Sequence, residues 1–305
     1  MSRITFPLLP LILPSIGAAL IATSCSTASE SPAPGSGGVT GSGGATGSGG
    51  VTGTTQRFSF FVTSVAAMRT LSGSQMGFGG DLRYGEATGL AGADKICKTI
   101  AEMAMPGAGS KTWRAFLSVI GPPAVNAIDR VGDGPWYDRM GRLVAANKAD
   151  LAQERPAGAD PVIIDDLPNE DGIPNHTDGA PGCTGNACPD NHDTLTGTNT
   201  MGQLYNTSPG STCNDWTNAE ATAPTGAGGS TGAGGRSGGG GRGNGPWCGH
   251  SWPRQGSGLN WMSALAEGGC GPGVNLVENG GPMAGVYTVG TGGGYGGIYC
   301  LALTP

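Results

Sequence analysis

The clearest pattern of apolar and polar positions in this chain lies between Gly89 and Ser118. The spacing i, i+3, i+4, i+7 is that of a helix with one apolar face, and it is followed here by Ala93, Ile96, Cys97, Ile100, Ala101 and Ala104. Asp94 is interpreted as a first-turn acid that suits the helix dipole, and Pro106 and Gly107 end the pattern. Alternation then begins at Trp113 and continues to Val119, which predicts a strand packed mainly on one face.

A second alternating stretch, Arg57 to Val65, precedes this region. Apolar side chains at Phe58, Phe60 and Val62 alternate with Ser59, Phe61 and Thr63. This pattern predicts the first strand of the fold. A glycine-rich loop is expected to connect it to Gly79–Leu82.

Composition limits the classes of function. The chain has 305 residues, of which 60 are glycine, and charged residues make up only 12%. The formal net charge is −6, so no broad basic surface is available to neutralise a phosphate backbone. We therefore expect no nucleic-acid partner.

Residues 1–24 have the features of an export signal. Arg3 precedes an apolar stretch from Ile4 to Ala22, and prolines interrupt that stretch, which argues against a permanent membrane span. The segment ends in Ala-Thr-Ser-Cys, which resembles the bacterial lipobox and implies lipid attachment at Cys25. The alternative is an ordinary cleaved signal in which Cys25 has no role. The lipobox interpretation predicts an exported protein, lipid-anchored to the bacterial cell envelope at the outer membrane or cell surface.

Residues 25–56 are predicted to be a flexible tether. The hexapeptides GSGGVT, GSGGAT and GSGGVT repeat there with almost no apolar side chain. Such a coil of about 30 residues reaches roughly 30 Å. Its predicted role is to hold a folded domain, residues 57–305, away from a membrane surface.

A series of motifs in residues 57–305 resembles a family of bacterial surface lipoprotein domains of unknown function. These motifs are FVTS (Phe61–Ser64), GLAGADKIC (Gly89–Cys97), TWRAFLS (Thr112–Ser118), AIDRV (Ala127–Val131), PWYD (Pro135–Asp138), LTGTNTMG (Leu195–Gly202), TCNDWT (Thr212–Thr217), Trp261 before Cys270, and IYCLAL (Ile298–Leu303). The resemblance implies an α+β, C-type-lectin-like (endostatin-like) fold. In that fold one main N-terminal helix packs against short, mostly antiparallel strands with long glycine-rich loops, and the first and last strands lie side by side.

The chain departs from this family pattern in three places. Leu195 replaces the usual tryptophan before the Thr-Gly-Thr step. Two insertions, about residues 160–193 and 225–245, interrupt the motifs. The second insertion has a six-residue glycine-rich repeat like that of the tether and is predicted to be disordered.

Removing a lipidated Cys25 leaves seven cysteines, and an exported chain is expected to form disulfides. Spacing alone does not determine the pairing. The resemblance implies a bridge from the first helix to the last strand, Cys97–Cys300, and an inner bridge, Cys213–Cys270. Cys183–Cys188 is then a local bridge and Cys248 is left unpaired, although Cys248 could instead take Cys213 or Cys270 as its partner.

Candidate metal ligands are few. His176, Cys183, Cys188 and His192 lie within 17 residues and are all zinc-ligand types. The alternative is a local disulfide with two solvated histidines; His250, beside Cys248, adds little. Asn169 and Asp171 match part of a calcium loop, for which the alternative is an acidic surface loop. These are weak candidates, and we predict no metal and no cofactor.

The sequence shows no recognisable catalytic motif, so we expect no enzyme activity. Its six tryptophans are more typical of a core than of a ligand groove. Trp247 and Trp252, outside the periodic strands, are the weak candidates for ligand contact. The leading expectation is a membrane-anchored binding or adhesion domain whose ligand is a glycan, matrix polymer or protein. The alternatives are a structural envelope protein without a specific ligand and a cysteine-dependent enzyme.

Overall fold

The computed structural model describes residues 57–176, 191–222, 245–253, 256, 259–276 and 287–305. The predicted signal, the lipid-attachment site Cys25 and the tether lie outside these residues. So do the proposed local bridge Cys183–Cys188 and nearly all of the glycine-rich insertion at residues 225–245. None of the described helices is both long and apolar enough to cross a membrane.

The described residues form a mixed α+β fold with few helices and small sheets, so the α+β prediction is confirmed. The helices are α1 (Val65–Ser72), α2 (Gly89–Ala104), α3 (Ala127–Arg130), α4 (Lys148–Leu151) and the single turn α5 (Cys213–Trp216). The strands are β1 (Phe60–Val62), β2 (Trp113–Ala115), β3 (Trp136–Tyr137), β4 (Leu143–Ala145), β5 (Asp193–Leu195), β6 (Trp247–His250), β7 (Leu265–Ala266) and β8 (Gly294–Ala302).

Helix α2 is the predicted helix of the opening pattern. The Thr88 hydroxyl accepts a hydrogen bond from Ala91 N and caps its first turn. Asp94, in contrast, does not lie in the first turn, because the helix already begins at Gly89. Its carboxylate instead binds the guanidinium groups of Arg114 and Arg130, which ties α2 to β2 and α3.

Helix α1 differs from the sequence-based expectation, in which the strand reaches Val65 and a loop follows. The chain turns into a helix at Val65 because Ser64 caps it, its side chain accepting a hydrogen bond from Ala67 N. Gly73 ends the helix in the left-handed conformation. Strand β1 is correspondingly shorter than the alternating pattern suggests.

The main sheet is organised around β8, the last strand. Its order is β1-β8-β5-β6-β7, and β2 also pairs with β8. All pairings in this sheet are antiparallel except that of β5 with β8. The first and last strands therefore lie side by side, as expected, with Phe61 opposite Cys300.

Both faces of β8 are buried, which explains why β1 is apolar on both sides. Ile298 and Cys300 contribute to the cluster that contains α2. Tyr299 and Leu301 contribute to a second cluster, which includes Trp136 and Trp261. The expectation that the strand from Trp113 to Val119 packs mainly on one face is confirmed within β2, where Arg114 is less buried than its two neighbours. It is wrong beyond β2, because Phe116 is buried in the second cluster.

Two disulfides join distant parts of the chain, which confirms the expectation of disulfide bonds. Cys97 on α2 is bonded to Cys300 on β8, across 203 residues. Cys213 is bonded to Cys270, across 57 residues. These are the two long-range pairs that the resemblance implies. Cys248 is buried and its thiol is free.

Candidate functional site

Three buried side chains with metal-ligand chemistry meet where β5 begins and β6 ends. They are His192, Asp193 and His250, and each offers one donor atom such that all three atoms lie within 4.8 Å of one another. His192 Nε2 is 3.3 Å from Asp193 Oδ1, and the two imidazole rings stack with centroids 4.2 Å apart. Within the part of the chain that the structure describes, it is the one group of three or more His, Cys, Asp and Glu residues that is this compact.

Strand pairing brings these residues together although they are far apart in the sequence. In the antiparallel ladder Asp193 lies directly opposite His250, so their side chains lie on the same face of the sheet. The Ser251 amide donates a hydrogen bond to the His192 carbonyl at 2.7 Å, which continues the pairing beyond the strand ends. The backbone of the site is therefore held by the sheet rather than by a free loop.

Gly249 is needed for this arrangement because its backbone packs against another segment. A Cβ atom at this position would lie 1.7 Å from the Trp261 carbonyl oxygen. Any side chain here would push β6, and His250 with it, away from residues 260–263.

A second carboxyl group, Glu267, lies beside the three residues. Glu267 Oε2 accepts a hydrogen bond from Gly292 N at 2.8 Å. A Cβ atom on Gly292 would be 2.6 Å from Asp193 Oδ2 and 3.3 Å from Glu267 Oε1, so this exposed glycine covers both carboxyl groups closely. Burial raises the pKa of Glu267, and the hydrogen bond from the Gly292 amide opposes this rise.

The free thiol of Cys248 lies on β6, as His250 does, but its environment does not favour a reactive nucleophile. It is fully buried. Burial, reinforced by the negative charges of Glu267 and Asp193, raises the pKa of the thiol well above its ordinary value. Reactive cysteines instead have lowered pKa values and some exposure, so this environment favours an inert structural thiol.

The structure divides the predicted zinc-ligand group. His192 belongs to the buried cluster, whereas the ring of His176 stacks on Trp252 with centroids 3.8 Å apart. Cys183 and Cys188 lie outside the described residues. The sequence analysis interpreted His250 as adding little to a metal site. This is corrected, because the pairing of β5 with β6 places His250 next to Asp193.

The predicted calcium-loop residues serve local structure instead. Asn169 is buried, and its side-chain oxygen accepts hydrogen bonds from the backbone amides of Asp171 and Ile173. Asp171 is exposed. Between them, Glu170 turns inward and accepts hydrogen bonds from Ser64, so the oxygen atoms of this loop point in different directions.

The six tryptophans separate into two groups by burial. Four are core residues with exposures of 2% or less, namely Trp113, Trp136, Trp216 and Trp261. The other two, Trp247 and Trp252, are half-buried, and they are the two weak ligand candidates of the sequence.

Trp247 is part of a surface aromatic pair that the sequence does not indicate. Its ring stacks on that of Tyr205, with centroids 3.7 Å apart and planes within 9°. The indole nitrogen donates a hydrogen bond to Ser263 Oγ at 2.7 Å, which holds the ring at its edge. Tyr205 is 39% exposed and forms the outer layer of the pair. Nothing in the local sequence around Tyr205 signals this contact, because its partner belongs to a distant strand.

Comparison of this sequence with models of known protein families and with curated proteins found no significant match. The function of the chain therefore has to be argued from its own residues.

Proposed function

We propose that this chain is an exported lipoprotein, anchored to the bacterial cell envelope through Cys25, whose C-type-lectin-like domain binds a glycan. The anchor and tether would hold the domain at the outer membrane or cell surface, where polysaccharides are abundant. The proposal for the ligand rests on one observation, the partly exposed Tyr205–Trp247 stack.

Several features of the fold support the lectin-like assignment. The terminal strands β1 and β8 pair, and one disulfide joins the main helix to the last strand. A second disulfide, Cys213–Cys270, closes the region of long loops. Fold alone does not establish a ligand, so the binding surface has to be argued separately.

The chemistry of the Tyr205 surface fits a neutral sugar. An exposed ring supported by a second ring offers a rigid apolar platform for the apolar face of a sugar. The surrounding segment, residues 196–211, contains no charged residue and is rich in hydroxyl and amide side chains. Asn206, Thr207 and Ser208 next to the ring are exposed and can hydrogen-bond to sugar hydroxyls.

The test is binding of the full-length chain, in detergent micelles, to an array of glycans and matrix polymers. We expect Tyr205→Ala to weaken binding of the glycan hits at least about tenfold, or roughly 1.4 kcal/mol. Tyr287→Ala is the matched control, since Tyr287 is a similarly exposed tyrosine at 36%. No glycan hit at micromolar concentration, or equal losses in the two variants, would refute the assignment. Hits confined to protein ligands would replace the glycan with a protein partner.

The lipid anchor needs its own test because the binding assay does not address it. Labelled palmitate should be incorporated into the chain in the producing cells and should be absent from Cys25→Ala. Incorporation that survives this substitution would contradict attachment at Cys25. A structural envelope protein without a ligand is the alternative, and it predicts palmitate labelling with no array hits.

A further inference from the structure

The buried cluster of His192, Asp193 and His250 has no part in the surface proposed to bind glycans. Two imidazoles and one carboxylate are a donor set used by metal centres, where two histidines with one carboxylate are a recurrent combination. These three residues are 8%, 2% and 4% exposed, so they are not ordinary solvated surface groups. A buried group of this composition requires a chemical explanation.

The distances are close to those of a coordinated ion. Zinc–nitrogen and zinc–oxygen bonds of about 2.0–2.2 Å place tetrahedral ligands about 3.4 Å apart. His192 Nε2 and Asp193 Oδ1 are already 3.3 Å apart. The three donor atoms, one from each residue, all lie within 4.8 Å of one another.

The surroundings hold the donor atoms in place from several sides. Asp193 and His250 are fixed opposite each other by the β5–β6 ladder. Glu267 and the close backbone of Gly292 lie next to the Asp193 carboxylate, where outer-shell partners of a ligating carboxylate are typically found. Sites built on strands and supported in this way retain ligand geometry better than sites on free loops.

We propose that His192, Asp193 and His250 bind one divalent transition-metal ion of the zinc class per chain. Three protein ligands leave a fourth position for water or another small ligand. The donor atoms are nitrogen and oxygen only, and the buried Cys248 thiol stays outside the coordination shell. This site goes beyond the proposed glycan binding and does not depend on it.

Metal content and titration test the site directly. The full-length chain is stripped with a chelator and then titrated with Zn²⁺, with bound metal counted by elemental analysis. The chain has three histidines, so His192→Gln and His250→Gln each remove one of the two proposed histidine ligands and His176→Gln is the matched control. We expect one ion per chain in the parent and in His176→Gln. In the other two variants affinity should fall by more than the roughly 10–100-fold typical of losing an outer-shell partner.

Three further readouts keep the proposal testable if a variant fails to fold. X-ray absorption of the zinc-loaded parent chain should show nitrogen and oxygen neighbours with the scattering pattern of two imidazoles. The Co²⁺-loaded parent should show d–d absorption without a thiolate-to-metal charge-transfer band. Near-UV circular dichroism of each variant without metal reports whether its tryptophan packing is intact.

Three results would overturn the proposal. The first is a parent chain that retains no Zn²⁺ after equilibration at micromolar metal. The second is an equal loss of affinity in His176→Gln, which would indicate a different site. The third is a charge-transfer band together with loss of binding in Cys183→Ser, which would move the ion to the cysteines of the first insertion.

Discussion

Glu170 is a buried carboxyl group whose protonation should control part of the stability of the fold. Ser64 N donates to Glu170 Oε2 at 2.9 Å, and Ser64 Oγ donates to Glu170 Oε1 at 2.5 Å. Burial raises the pKa of Glu170 from 4.5 to about 7, and the hydrogen bonds from Ser64 only partly oppose this rise. The group therefore holds a proton in the folded chain under conditions where the unfolded chain has lost it.

The sign of the effect follows from this difference in bound protons. Between about pH 4.5 and pH 7 the folded chain binds more protons than the unfolded chain, so the free energy of unfolding falls as pH rises. The contribution is fully present below pH 4.5 and is lost above the pKa of the folded state, about 7. A rise of about 2.5 pKa units at 1.36 kcal/mol each corresponds to about 3 kcal/mol.

The substitution that tests this is Glu170→Gln, which keeps the shape of the side chain and removes the titration. Urea unfolding from about pH 4 to about pH 8 gives the free energy of unfolding of parent and variant. We expect the difference, parent minus variant, to decrease by about 3 kcal/mol across this range. Asp133→Asn is the control, because the side chain of Asp133 is a carboxylate that is 98% exposed, and its profile should follow that of the parent. A difference that is constant with pH to within about 1 kcal/mol would show that Glu170 is not buried as described.

Three further predictions concern cross-links and buried groups. Replacing Cys97 and Cys300 together by alanine should lower the free energy of unfolding by about 5 kcal/mol, because the bridge closes a loop of 203 residues. Urea unfolding measures this difference, and a loss below about 1 kcal/mol would contradict the prediction. Cys248 should resist iodoacetamide in the folded chain and react after denaturation, as followed by mass spectrometry; rapid labelling of the native chain would contradict its burial. Asp94→Asn should lower the free energy of unfolding by about 2 kcal/mol, because it weakens the charge-assisted hydrogen bonds to Arg130. The side chain of Arg130 is itself only 10% exposed. An unchanged midpoint of urea unfolding would refute this role.

Helix α2 could be predicted because its signals are local. The apolar spacing and the terminating proline and glycine all lie within the helix or beside it. Helix α1 could not be predicted in the same way, because the alternating pattern continues as far as Val65. Its start depends on Ser64, whose amide and hydroxyl are oriented by Glu170, 106 residues further along the chain.

The buried cluster of His192, Asp193 and His250 was even harder to predict from local sequence than helix α1. The sequence presents His192 as a possible ligand, but in a group with its neighbours along the chain, His176 and two cysteines. Its actual neighbour His250 is brought in by the pairing of β5 with β6, and no periodicity in residues 247–250 indicates that partner. The aromatic pair of Tyr205 and Trp247 could not be predicted for the same reason, because the two residues come from different segments of the chain.

The sequence by itself determined the α+β class, the main helix, and the prediction of an exported, tethered domain stabilised by disulfides. The α+β class came from the resemblance of short motifs to a family of bacterial surface lipoprotein domains. The other conclusions depend on composition and local periodicity, which are properties of neighbouring residues. Only the tertiary structure decided which residues meet: the two-sided core around β8, the inward-facing Glu170, the aromatic pair and the His–Asp–His cluster. Each of these joins strands or loops that are far apart in the chain. The physical reason is that strand register and burial set these contacts, and both are established only when the sheet forms.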